Sequence, residues 1–403
     1  MNTEELTKFV SDGFEKAKAG DAIAVYQQVA PFHDDNSLHY RSHYPFGWII
    51  YYALHQSPDH EIEARKHMLA RYLKLKVMVP HKLHSMILTQ AVRLYRNARD
   101  NAFNKNPQEV VKFSLLNFLK LWNLQNLRPG DWRRKDFEGK QMSSLVEKMI
   151  TLAIDEAESL HQIPFPEFMQ VVDQAVASFP DSFNLLSQRA SIHILAHEDA
   201  KAAELLKGAI LMAPGKFFLW SKLASIIPVA QDSHLHVALL YKALRAPGPE
   251  EYKGRIRISM ADALASKGAF PQALFELLRV KSLYEANGWH LSPRFNSVMA
   301  KIPQGIQPDD PARIYRKVEH LADEYVYSAL PLIPAAKTFH KNPDPQADNR
   351  GYGRPAVAWR VTDETGYNYW FKPERWGIDP NLPSGTRVAI QVANGKVVKA
   401  KLI

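Results

Sequence analysis

The stretch TGYNYWFKPERWG, residues 365–377, sets Tyr367, Tyr369 and Phe371 on one side of an extended strand and Trp370 on the other. Trp359 stands on the preceding strand-like run, and Arg360, Lys372, Arg375 and Arg387 surround the group. Rings interleaved with cations have the chemistry that single-stranded nucleic acid requires. Bases stack on ring faces at about 1–3 kcal/mol each, and phosphates follow the charge. A small barrel has one interior, yet both faces of this strand are aromatic, so Trp359, Tyr367, Tyr369 and Phe371 are expected to stack bases.

A second group of cations lies toward the N-terminus. Arg93, Arg96 and Arg99 recur three apart on a helical stripe, and Arg133, Arg134 and Lys135 follow Trp132. Together they are expected to track a phosphate backbone. The charge balance supports this: residues 61–140 hold 17 Lys/Arg against 7 Asp/Glu, and residues 331–403 hold 11 against 6. The formal net charge of +9 is thus gathered in two blocks, which suit an acidic partner. Helix faces that are merely solvated give the same composition.

Catalytic signals are sparse. His39 and His43 are four apart and His81 and His84 three apart, without the glutamate of a metalloprotease helix; His33, Asp34 and Asp35 lie nearby in sequence. There is no phosphate-cradling glycine loop, dinucleotide fingerprint or nucleophile elbow. No enzyme activity, cofactor or metal is therefore expected, although a site of scattered carboxylates in residues 1–140 would leave no local motif. With zero cysteines the chain has no disulfide, thiolate metal site or cysteine nucleophile, which fits a reducing cytoplasm. The first residues carry no apolar h-region and are not expected to act as a signal peptide, and the longest apolar run, Phe46–Leu54, is too short to cross a bilayer.

The elements that must position these residues change character along the chain. Helical spacing is predicted through residues 1–30 around Gly20 and Asp21, then over 46–56, 61–79, 83–102, 108–126, 141–160 and 165–178, with loops at 31–45 and 127–141. Residues 329–355, rich in Pro and Gly, read as a linker. Beyond it the period becomes two: 356–361, 366–371, 386–392 and 396–403 are strand-like, and Asn394–Gly395 signals a hairpin between the last two.

Pro180, Pro214 and Pro247 recur at intervals of 34 and 33 residues, the period of a two-helix repeat. Between them Ala202, Leu206 and Ala209 precede Pro214, Trp220, Leu223 and Ala224 follow it, and Leu240 and Ala243 precede Pro247. A third unit carries Ala261, Leu264, Gly268, Ala273 and Leu277. Over about residues 181–285 this pattern resembles the tetratricopeptide (TPR) family, with Ala190 and Ala224 replacing the first-helix glycine, His236 replacing an alanine, and the third unit offset. The resemblance implies stacked helix pairs with a groove for a protein partner. Residues 355–403 are similar to cold-shock-type OB domains, in which Tyr367 and Tyr369 would be the base-stacking pair, although the family's second aromatic-histidine motif is missing.

The expected architecture is mainly α: an irregular TPR-like α-solenoid followed by a small OB-like β-barrel. Its parts are a basic helical region 1–140, repeats 141–328, a linker 329–355 and a barrel 356–403. The expected function is that of a cytoplasmic adaptor binding RNA or single-stranded DNA through the barrel and the basic helices, with a protein partner in the repeat groove. A pure protein–protein scaffold, as in a bacterial stress or defence system, is the alternative.

Overall fold

Asn2 opens the first helix with a reciprocal capping box to Glu5, and Gly20, at φ 129°, ends it by a conformation that only glycine adopts cheaply. The computed structural model describes residues 1–78, 81–104, 113–341, 357–393 and 395–403. They form two compact units, Met1–Pro180 with Ser191–His197, and Asp181–Ala190 with Glu198–Ile403.

The first unit contains α1 (Thr3–Lys16), α2 (Ala22–Asp34), α3 (Tyr40–Gln56), α4 (Ile62–Tyr72), α5 (Lys82–Asn104) and α6 (Leu115–Trp122), then strands β1 (Lys135–Phe137) and β2 (Lys140–Met142), then α7 (Leu145–Leu160) and α8 (Pro166–Ser178). Asp21, at the N-cap position of α2, makes no side-chain cap bond. Gln56 does that work from the far end of α3, accepting from the Ala22 N–H at 3.2 Å and donating to the Gly20 carbonyl at 2.8 Å. The loop expected at 31–45 is mostly helical, because α2 continues through Pro31 and α3 begins before Pro45. Fully buried Phe46, Ile49, Ile50 and Ala53 give α3 a face worth more than the one N–H a proline removes. Residues 127–141, expected as loop, hold the β1–β2 hairpin, turned by Glu138 and Gly139 at positive φ. Pro80, between two predicted helices, and residues 105–112, where the start of another is predicted, lie outside the described residues.

The second unit takes the first part of α9 (Phe183–Leu195) and continues through α10 (Asp199–Met212), α11 (Phe217–Ser225), α12 (Val229–Arg245), α13 (Gly254–Ala265), α14 (Phe270–Ala286), α15 (Pro293–Met299) and α16 (Ala312–Tyr327). Pro180, Pro214 and Pro247 all stand between helices. Successive helices pack from α10 to α14, and the alanines of the repeat pattern, Ala202, Ala209, Ala224, Ala243, Ala261 and Ala273, are fully buried where backbones approach. Gly268 turns between α13 and α14 at φ 75°. His236, in place of a small residue, is buried and bonds the Ile227 carbonyl at 2.8 Å. The last helix, α16, returns to lie against α12 and α10, so that face of the array is occupied by the chain itself.

Strands β3 (Ile333–Lys341), β4 (Ala358–Asp363), β5 (Asn368–Phe371), β6 (Arg387–Ala393) and β7 (Lys396–Leu402) make one antiparallel sheet in the order β5-β4-β3-β6-β7. It curls into a half-barrel in which β5 and β7 approach one another, an arrangement compatible with an OB-like barrel. The stretch expected as a linker therefore contributes β3, the central strand. The core is Trp359, Val361, Tyr369, Phe371, Val388 and Ile390, with Ala335 of β3 and Val397 and Ala400 of β7. Pro343, Pro345, Pro355, Gly351, Gly353 and Asn394 lie outside the described residues. Among the described residues no helix is long and apolar enough to cross a membrane.

Candidate nucleic-acid interface

In the first unit, one face of α5 lines a groove of about 660 Å³, closed on its other sides by the turn 128–133, the start of β1 and the start of α7. Lys82, Arg93 and Arg96 of α5, Arg128, Arg133, Lys135, and Lys148 of α7 all line it. Among the described lining residues these are seven cations, and Asp131 is the one carboxylate. Asp131 is buried and committed, accepting from Ser85 Oγ at 2.9 Å and from the Arg128 N–H at 2.9 Å. Its charge is thus turned to local bonding, which leaves the groove strongly positive. Arg93 also reaches Asp59 at 2.6 Å. Lys82, Arg96, Arg133 and Lys135 are exposed and make no ion pair with the described residues.

The structure brings together Arg93, Arg96, Arg133 and Lys135 of the seven N-terminal residues picked from sequence, and separates the rest. Arg99 pairs with Asp155 at 3.0 Å. Arg134 faces inward, bonded to Glu147 and lying 4.7 Å over the Phe179 ring. Trp132 is partly buried at the end of the turn Pro129–Trp132 and does not line the groove. Lys82, Arg128 and Lys148 complete the ring from other elements, and only their positive sign hinted at them in the sequence.

On the half-barrel the aromatic assignment changes sides. Trp359 has no exposed surface, its indole N–H donates to the Pro380 carbonyl at 2.9 Å, and Lys337 covers its ring at 4.3 Å. Tyr369 and Phe371 are buried with it. These three cannot stack bases in this structure, because their faces form the core. Tyr367 is exposed in the turn, where the Asp363 carboxylate gathers the N–H groups of Thr365 and Tyr367 and the hydroxyls of Thr365 and Tyr369. Those bonds hold the Asp363 carboxyl below its usual range, the Thr365 hydroxyl contributing most.

The outer face carries a different set. The register aligns Phe339 of β3, Arg360 of β4 and Trp370 of β5 in one row across three strands. Phe339 and Trp370 are half exposed with centroids 6.2 Å apart, and the Arg360 guanidinium lies 5.6 Å over Phe339. A register shift between Lys337 and Phe339 turns Phe339 outward, where strict alternation with Lys337 would have placed it inside. Arg387 is exposed at the start of β6. Lys372 is exposed on the side of a separate cleft, and the Arg375 side chain lies outside the described residues.

That cleft, of about 950 Å³, lies within the second unit between the loops after α10 and α12, helix α16 and the half-barrel. Trp220, Tyr327 and Trp376 form apolar walls. Its charges are of both signs: Lys242 bridges Glu319 at 3.1 Å and Asp323 at 2.7 Å, Arg245 meets Glu319 at 2.7 Å, and Lys399 meets Glu324 at 3.6 Å.

The histidines weighed as metal ligands serve local structure. His39 caps α3, His43 accepts from the Lys76 N–H at 2.9 Å, His81 accepts from the Leu83 N–H at 3.0 Å, and His84 bonds the Tyr72 hydroxyl at 2.7 Å.

Residues 187–322 match a family described as a domain of unknown function, DUF7017. The match spans the repeat helices and leaves the basic groove and the half-barrel outside it. No curated protein matches the chain.

Proposed function

We propose that the chain is a nucleic-acid-binding adaptor that acts by contact in the cytoplasm, with its phosphate-holding surface in the groove of the first unit. The observation that carries this reading is the groove's sign: among the described residues seven cations from four elements line it, and the single carboxylate is bonded to its own wall. Counterion release on phosphate binding then supplies the affinity. The Phe339–Arg360–Trp370 row, across strands β3, β4 and β5, is a second contact, and it includes the strand pair on which OB barrels generally receive oligonucleotides. The mixed charges and aromatic walls of the second cleft suit a polypeptide better than a polyanion, which supports a protein partner on the TPR-like repeats.

The test is fluorescence anisotropy of labelled RNA and DNA strands across a salt series, for the full chain and for Arg96→Glu/Arg133→Glu. Binding that falls with salt by about 0.7 log units per decade for each phosphate engaged, and that weakens sharply in the folded variant, is expected. Absence of binding by the parent at low salt overturns the reading.

A further inference from the structure

The outer face of α3 is aromatic where a surface helix is ordinarily polar. Phe46, Ile49, Ile50, Ala53 and Leu54 fill the buried side. Tyr44, Trp48, Tyr51 and His55, spaced 4, 3 and 4, run along the opposite side, with Tyr52 beside them. Tyr44 and His55 are exposed, and Trp48, Tyr51 and Tyr52 are partly so. The rings support one another. Trp48 meets Tyr44 edge-on at 6.5 Å and Tyr51 at 5.8 Å, and Tyr51 stacks on His55 at 6.1 Å. They form a rigid strip of ring faces and edges, held without the entropy cost of ordering long side chains.

The strip runs into the basic groove. His81, at the foot of α5, packs edge-on against Tyr44 at 5.0 Å and Trp48 at 6.4 Å. The next residue is Lys82, a wall of the groove. The charge of Arg128, another wall, also reaches His81 and adds to the burial that lowers its pKa, so the imidazole stays neutral beside the strip. Rings for bases thus adjoin cations for phosphates within one unit, the combination that a single strand of nucleic acid requires.

We infer that Tyr44, Trp48 and Tyr51 form a base-stacking platform for a single strand of RNA or DNA whose phosphates enter the groove at Lys82 and Arg128. This rests on the groove reading above and adds the requirement that bases be unpaired, since a duplex offers no free base face to the strip.

The experiment compares oligo(U), oligo(dT) and a duplex of equal length, about 12 nucleotides, within the span one single-strand site covers. Each is titrated against the full chain, Tyr44→Ala/Trp48→Ala, and Arg96→Glu/Arg133→Glu; the same strands carrying 5-iodouracil are photo-crosslinked to the unmodified protein. The platform predicts single-strand preference in the parent and a loss of about tenfold or more for single strands in the Tyr44/Trp48 variant. Duplex affinity and salt slope should stay unchanged in that variant, and crosslinks should fall on Tyr44, Trp48 or Tyr51. The crosslinks decide the matter if the variant fails to fold. The ratio of oligo(U) to oligo(dT) affinity tells RNA from DNA. Unchanged single-strand affinity in a folded variant, or crosslinks confined to the groove or the half-barrel, overturns the platform while the groove reading stands, provided Arg96→Glu/Arg133→Glu still weakens binding. Loss of a co-purifying protein with unchanged strand affinity makes the strip a protein dock and likewise overturns it. No binding by the parent removes both readings.

Discussion

Arg134 grips Glu147 through both carboxylate oxygens, with Nη2 2.7 Å from Oε1 and Nε 3.0 Å from Oε2. Both side chains are largely buried, and the same carboxylate also accepts from the Ser144 N–H that caps α7. The next residue back, Arg133, points into the groove. One position is structural, and its neighbour is available to a ligand. Arg134→Ala leaves a buried carboxylate without its cation and is expected to cost about 3–5 kcal/mol. Arg133→Ala, at an exposed position, should stay within about 0.5 kcal/mol of the parent while weakening strand binding. Urea denaturation beside anisotropy separates the two.

Acid behaviour should show two opposite signs. The Asp34 carboxyl is held at about 2 instead of 3.8, chiefly by hydrogen bonds from the Arg71 guanidinium, which outweigh burial. A lowered pKa gives stability that is present above the ordinary value and is lost as pH falls toward about 2. Asp34→Asn should flatten that acid limb. Burial raises the Glu156 carboxyl despite the bond from the Leu116 N–H at 2.9 Å. Its contribution is therefore complete in acid and declines as pH rises through the raised value, so Glu156→Gln should have a higher Tm than the parent at neutral pH and a similar one in acid. Melting curves between pH 2 and pH 8 check both signs.

Inward and outward aromatics of the half-barrel should respond differently. Trp359→Ala empties the centre of the core and is expected to cost about 3–5 kcal/mol. Trp370→Ala, on the half-exposed outer row, should change stability little and strand binding more. Equal destabilisation by the two in thermal melts would contradict the assignment of faces.

Lys242 is 8% exposed and holds Glu319 and Asp323 of α16. Lys242→Met is expected to cost about 3–5 kcal/mol, and Lys242→Met/Asp323→Leu to recover part of that by removing the stranded charge. Hydrogen exchange over α16 should rise in the single variant; unchanged protection would show that the pair does not hold the helix.

What the sequence could reveal was whatever depends on neighbours along the chain. The proline interval and the alanine spacing located the stacked helices, because packing one helix on the next demands small residues at fixed offsets. Strands β4 to β7 showed their alternation. β3 did not: Pro334, the run of Ala335 and Ala336, and the register shift at Lys337 blur its period, and only pairing with β4 and β6 makes it a strand. Alternation also divides aromatics into two faces without saying which is inside, so the buried set of Trp359, Tyr369 and Phe371 was expected at the surface. The arginine stripe was legible for two residues only. Each step of three rotates about 60° short of a full turn, and by Arg99 the helix faces Asp155. The groove's remaining walls and the Gln56 cap come from contacts distant in sequence, which spacing does not encode.

The position of β3 determines where the polypeptide can be cut. A fragment starting at residue 356, where the composition turns strand-like, would keep the β4–β5 and β6–β7 hairpins but lose the strand that joins them. Two-stranded ribbons of that size do not persist alone in water. The Gln391 amide also donates to the Leu330 carbonyl at 2.7 Å, just after α16. The half-barrel therefore begins before β3, and a domain excision meant to isolate it would have to start upstream of Leu330.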